Sequence, residues 1–138
     1  MTKTMNKIAF ILMIMALPSL VSGQDKKAKK HNLKSTTVYE QKYEKGNGGK
    51  TLKESETRYD DAGNIIEEIS YQLGKVDKHF LYEYDKDNNK IRETELDASG
   101  KKIKVTEYKY SDGLRMERTV YNGNNQVLSK KTYKCETF

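Results

Sequence analysis

The chain has 138 residues, a formal net charge of +6, 35% hydrophobic residues and one cysteine. That length and hydrophobicity suit one small domain with a thin core, and a lone cysteine excludes an internal disulfide framework. The positive charge is concentrated at the amino end: from Ser35 onward 19 Lys and Arg stand against 19 Asp and Glu, so the part that folds lacks the basic face a nucleic-acid partner requires.

In chain order, Met1 to Lys7 carries Lys3 and Lys7 without an acid, Ile8 to Leu17 is unbroken apolar sequence, and Val21-Ser22-Gly23 places small residues before Gln24. This is the pattern of a secretory signal peptide, residues 1–23, cleaved after Gly23. The apolar run is shorter than the about 20 residues a permanent membrane anchor needs. The expected product is an exported chain in the periplasm or outside the cell. Residues 24–34, with Lys26, Lys27, Lys29, Lys30 and Lys34 against Asp25 alone, suggest a disordered, solvated tether. Weak contact of these lysines with an anionic membrane surface is its functional alternative, at about 1 kcal/mol per basic residue close to the lipid.

Residues 35–138 are expected to form one domain. Only 18 Leu, Ile, Val and Phe occur there, a level at which disorder becomes a concern. Zero net charge and ten tyrosines argue instead for a folded sheet, because rings bury large areas and favour extended backbone.

A repeat organises this segment. An aromatic or apolar residue followed by a turn cluster recurs at Tyr59, Tyr71, Tyr84, Leu96, Tyr110, Tyr121 and Tyr133, with spacings of 12, 13, 12, 14, 11 and 12. Such a unit has room for one strand and one turn. Asp60-Asp61-Ala62-Gly63-Asn64, Leu73-Gly74-Lys75, Asp85-Lys86-Asp87-Asn88-Asn89, Asp97-Ala98-Ser99-Gly100, Ser111-Asp112-Gly113 and Asn122-Gly123-Asn124-Asn125 supply residues that tolerate positive φ in tight hairpins. Between them apolar positions alternate at period two, and no proline follows Pro18. Strands are expected near 36–44, 50–60, 64–73, 75–85, 90–97, 102–110, 114–121 and 126–136. The fold class is all-β: an antiparallel up-and-down meander of about seven or eight strands, in a single-layer or curled open sheet of tandem hairpin repeats. Ile103 and Val105 lie out of phase with Tyr108 and Tyr110, and a bulge in that strand would reconcile them.

Tyr59-Asp60-Asp61-Ala62-Gly63-Asn64-Ile65 resembles the YD repeat of the Rhs family, whose core is Tyr-Asp, two variable residues, Gly, a polar residue and an apolar one. Tyr84-Asp85-Lys86-Asp87-Asn88-Asn89-Lys90-Ile91 is similar with Asn in place of Gly, and Leu96-Asp97-Ala98-Ser99-Gly100-Lys101-Lys102-Ile103 lacks the tyrosine. Rhs proteins wind many such repeats into a shell around a toxin; this chain has too few to enclose anything. The plan of leader, basic spacer and Tyr-rich hairpins also resembles small exported Bacteroidota proteins of uncharacterised families such as DUF3836. Neither resemblance supplies catalytic residues.

Little in the sequence has the form of an active site. Cys135 suits an ordinary strand position, and a nucleophile would need a positioned base; of the two histidines, His31 falls in the tether and His79 in a strand. Asp85, Asp87 and Asn89 imitate the opening of a calcium loop, but Lys90 and Leu96 stand where a glycine and a bidentate Glu are required, so a hairpin turn is the better explanation. No metal, cofactor or catalytic residue is assigned. The positive expectation is that Tyr71, Tyr82, Tyr84, Tyr108 and Tyr110 share one face as an aromatic platform for a glycan, peptide or protein partner, unless the rings simply serve as core. The sequence thus points to a non-catalytic binding or structural module of the bacterial envelope, the alternative being a hydrolase whose carboxylates act on a glycan.

Overall fold

Strands form where β-branched and aromatic residues alternate with polar ones between turn clusters. The computed structural model describes residues 21–44 and 46–138, with side chains from residue 26. Its strands are β1 (Ser35–Glu44), β2 (Asn47–Tyr59), β3 (Ile65–Gln72), β4 (Lys75–Tyr84), β5 (Lys90–Leu96), β6 (Lys102–Ser111), β7 (Leu114–Asn122) and β8 (Val127–Thr132). Each pairs antiparallel with its sequence neighbours in one open sheet ordered β1 to β8, the expected meander. The expected leader, up to residue 20, lies outside the described residues.

Four of the reversals share one construction. Asp60 Oδ1 accepts the N–H groups of Ala62 (2.9 Å) and Asn64 (2.8 Å), and Asn64 Nδ2 donates to Asp60 Oδ2 at 3.1 Å. Asp85 does the same for Asp87 and Asn89, Asp97 for Ser99 and Lys101, and Asn122 for Asn124 and Gln126. Three residues after each of these side chains the backbone turns left-handed, at Gly63 (φ 86°), Asn88 (62°), Gly100 (85°) and Asn125 (63°). A side-chain oxygen that accepts two backbone N–H groups holds such a turn closed. The same bonds favour the charged form: the Asn89 amide holds the Asp85 carboxyl below its usual range, and the Ser99 hydroxyl does so for Asp97. Two other reversals are two-residue type I′ turns, Leu73-Gly74 (φ 51° and 78°) and Asp112-Gly113 (51° and 76°), whose twist matches the flanking strands. Gly123 answers a different need: a Cβ there would lie 2.5 Å from the Lys102 carbonyl oxygen.

Every hairpin also carries a register shift. In the six hairpins from β2–β3 to β7–β8 the steps are Arg58/Tyr59, Ser70/Tyr71, Glu83/Tyr84, Glu95/Leu96, Lys109/Tyr110 and Val120/Tyr121. The residue just past each step is the one that marks the repeat in sequence. Opposite it the next strand carries one extra residue: Ile66, Asp77, Ile91, Ile103, Met116 or Leu128. β6 therefore has a bulge, at Ile103, with counterparts across the sheet, but it does not bring the two sets into phase: it precedes Val105, which stays on the face opposite Tyr108 and Tyr110. Repeated bulges increase twist, which lets one layer shelter side chains on both faces. Val105 and Thr106, neighbours that point to opposite faces, are both buried, as are Thr119 and Val120 beside them; Thr106 is only 1% exposed.

Rows of ionisable side chains stitch the strands. Arg58, Glu67 and His79 form one row (3.1 and 2.7 Å), Glu83, Arg92 and Glu107 a second (3.5 and 2.7 Å), and Lys109, Glu117 and Lys130 a third (3.1 and 2.8 Å). Cross-strand pairs of this kind contribute roughly 0.2–1 kcal/mol each.

The segment expected to be a disordered tether is instead helical in part, as α1 (Val21–Lys30). Its carboxyl end explains why. Asn32 is left-handed (φ 50°), its N–H donates to the Lys29 carbonyl at 3.2 Å and that of Leu33 to the Ala28 carbonyl at 3.0 Å, a Schellman closure. Ala28 is 2% exposed, and Lys27, Lys29 and Lys30 in the last turn complement the helix dipole. Among the described residues no helix is long and apolar enough to cross a membrane.

Candidate functional site

The strand pairing decides which tyrosines share a face. Directly opposed residues point the same way, so the chain of pairs Glu68–Phe80, Tyr82–Glu93, Glu93–Thr106 and Tyr110–Arg115 sets Phe80, Tyr82, Tyr84, Tyr108 and Tyr110 on one face of β4 and β6. Tyr71 is not among them. Its hydroxyl donates to Glu56 Oε2 at 2.8 Å, and Glu56 pairs with Ile69, on the opposite face with Glu67. The extra residue Asp77 is the cause: it brings Phe80 opposite Glu68 rather than Glu67 and turns β4 over relative to β3. Four of the five expected platform residues are therefore brought together and the fifth is separated from them.

On the shared face three of the ring hydroxyls are held. Tyr82 donates to Glu68 Oε2 at 2.6 Å, Tyr84 to the Ile65 carbonyl at 2.8 Å and Tyr110 to the Lys90 carbonyl at 3.0 Å. The last two bonds are equivalent, each tying a repeat-marking tyrosine to the first residue of a strand beyond a turn. Burial, reinforced by Glu68, pushes the Tyr82 hydroxyl far up from its ordinary value, so it stays a neutral donor at any physiological pH. Phe80 and Tyr82 lie nearly parallel, with centroids 6.3 Å apart.

Two cations sit between the rings. Lys90 Nζ is 4.7 Å from the Tyr82 ring centre and 5.9 Å from that of Tyr108, and the Arg115 guanidinium is 4.5 Å from Tyr108 and 5.8 Å from Tyr110. Lys90 also pairs with Glu93 at 2.9 Å. The order Tyr82, Lys90, Tyr108, Arg115, Tyr110 makes a strip in which ring faces alternate with positive charge. Its rings are half-buried, in part core and in part surface. Lys90 and Arg115 did not stand out in the sequence. Their signal is positional: each is the residue that pairs back onto a repeat-marking tyrosine, Lys90 on Tyr84 and Arg115 on Tyr110.

The opposite face is dominated by the charge rows. Tyr71 lies beneath Lys53 (5.2 Å), which pairs with Glu56 at 2.6 Å; that bond and the one from Tyr71 hold the Glu56 carboxyl below its usual range. Tyr121 donates to Glu107 Oε2 at 3.2 Å, and Arg92 lowers the Glu107 carboxyl. His79 engages Glu67, and Cys135 is exposed. Asp85 turns its carboxylate inward onto Asp87 and Asn89, as a hairpin turn requires. Among the described residues no group of three His, Cys, Asp or Glu side chains is placed to hold a metal ion. A cleft of about 830 Å³ lies away from the tyrosine strip, between the β1–β2 hairpin and the β3–β4 turn; Glu40, Glu44, Glu54, Lys53, Tyr71 and Leu73 are among the residues lining it.

No family model and no curated protein matches the sequence.

Proposed function

We propose that the protein is an exported, non-catalytic module of the bacterial envelope, and that the face bearing Tyr82, Tyr84, Tyr108 and Tyr110 binds a glycan or an extended peptide. The observation that carries this reading is the strip itself. Hydroxyls tied to Glu68 and to the Ile65 and Lys90 carbonyls hold the rings of Tyr82, Tyr84 and Tyr110 at fixed positions, and Tyr108 lies between Lys90 and Arg115, so little ordering entropy opposes binding. The ring faces suit the apolar face of a sugar or side chain, while Lys90 and Arg115 favour partners that carry carboxylates, such as acidic sugars or acidic peptides. Export rests on the leader pattern of residues 1–23, and the basic segment before Ser35 suits contact with an anionic lipid surface.

A thermal-shift screen against peptidoglycan fragments, acidic and neutral glycans and acidic peptides tests the binding. A shift with an acidic ligand that is lost in Tyr108→Ala and retained in Tyr71→Ala supports the assignment; a shift that depends on Tyr71 or on the β1–β2 cleft overturns it. Release of reducing ends from any glycan in the same screen, abolished by Glu40→Gln or Glu54→Gln, identifies the carboxylate-dependent hydrolase instead. Amino-terminal sequencing of the protein recovered from cells checks export, with Gln24 as the expected first residue.

A further inference from the structure

The two edges of the sheet match each other, and we infer that copies of this chain associate head to tail, β8 of one against β1 of the next. The inference does not rest on what the tyrosine strip binds. Both edge strands are exposed along their whole length, β1 over Ser35–Glu44 and β8 over Val127–Thr132, and each presents backbone groups without a strand partner.

Three observations select a second copy as the partner. The first is parity. With eight strands alternating in direction, β1 and β8 run opposite ways, so a neighbouring copy continues the antiparallel ladder without changing its sense. The second is charge. The row Lys109, Glu117, Lys130 ends on β8 with a cation, and Lys131 sits directly opposite Arg118, with no ion pair for either of the latter two among the described residues. β8 thus carries Lys130 and Lys131 and no acid, whereas β1 carries Glu40 and Glu44 against Lys42 alone. An incoming β1 supplies the negative charge that would continue the alternation. The third is the repeat marker. In β2 to β7 the marked residue lies at the step where the following strand is received. Tyr133 holds the same place beyond β8, its N–H donating to the Met116 carbonyl at 2.9 Å, so that edge carries the mark of a strand with a successor. Because the two contacting patches differ, the contact is heterologous and generates open chains rather than closed dimers.

Antiparallel pairing brings the beginning of β1 beside the end of β8, which places Thr36 of one copy near Cys135 of the next. The test is Thr36→Cys in the otherwise native chain, purified as the cell produces it and oxidised mildly. A ladder of disulfide-linked dimers, trimers and larger species, abolished by adding Cys135→Ser, supports the inference. Dimers that persist in the Cys135→Ser background show β1 against β1 and overturn it, as do dimers formed by the native chain through Cys135 alone. Sedimentation of the unaltered protein gives an independent reading: mass rising with concentration and falling with added salt is expected, and a monomer at every concentration overturns the inference.

Discussion

Asp60 and Asn122 perform one task with different side chains. Each offers an oxygen to the N–H groups two and four residues ahead, and the task needs an acceptor more than it needs a charge. Asp60→Ala leaves two part-buried donors unsatisfied and is expected to lower unfolding stability by about 1–3 kcal/mol, read as a shift of the urea midpoint at constant slope; Asp60→Asn is expected to retain most of it. Leu73 makes the converse point. It is 86% exposed with φ 51°, a conformation that costs a branched apolar side chain about 1 kcal/mol and suits Asn. Leu73→Asn should therefore raise stability by roughly 0.5–1 kcal/mol in the same titration. An unchanged midpoint would show that the turn holds Leu73 without strain.

Between strands, the charge rows make stability depend on acid. Lys130 and then Lys109 draw the Glu117 carboxyl down to about 2 from an ordinary 4.5. The folded value is the lower one, so the stabilisation is complete above the unfolded value and is lost as pH falls from about 4.5 toward about 2. Glu117→Gln should flatten the stability profile across that window and leave its shape above pH 6 unchanged, as thermal melts from pH 2 to 7 would show. At this scale too lies the boundary of what the residues reveal unaided. The Asp-Gly and Asn-Gly clusters name a turn chemistry directly, and period-two alternation names a strand, so the eight strands and their order are legible. The face on which Tyr71 falls is not. That depends on the extra residues Ile66, Asp77, Ile91, Ile103, Met116 and Leu128, which share no chemistry that would mark them, and each resets the phase of its strand. α1 escaped for a similar reason: a run of lysines has no apolar period, and the Asn32 closure acts through backbone geometry.

Across the whole molecule, burial is uneven. Val105, Thr106, Thr119 and Val120 are sheltered in β6 and β7, while β1 and β8 are exposed throughout. Protection from amide exchange follows local packing, so β6 and β7 are expected to exchange slowest and the two outer strands fastest, with at least a tenfold gap in protection measured by hydrogen–deuterium exchange. Uniform protection would indicate a single cooperative unit.

The repeat-marking residue changes both end and face from one strand to the next, Tyr71 on one side and Tyr84 on the other, which gives the architecture a rule for growth. Excising residues 72–84 would join Tyr71 to Asp85 and put every later side chain on the wrong surface. Excising residues 72–96 joins Tyr71 to Asp97, in the place Leu96 now occupies, and keeps every later side chain on its own surface. A shortened gene product of the second kind should still fold, and one of the first kind should not, by circular dichroism and melting. Descendants of such a chain can therefore lengthen or shrink only by even numbers of units.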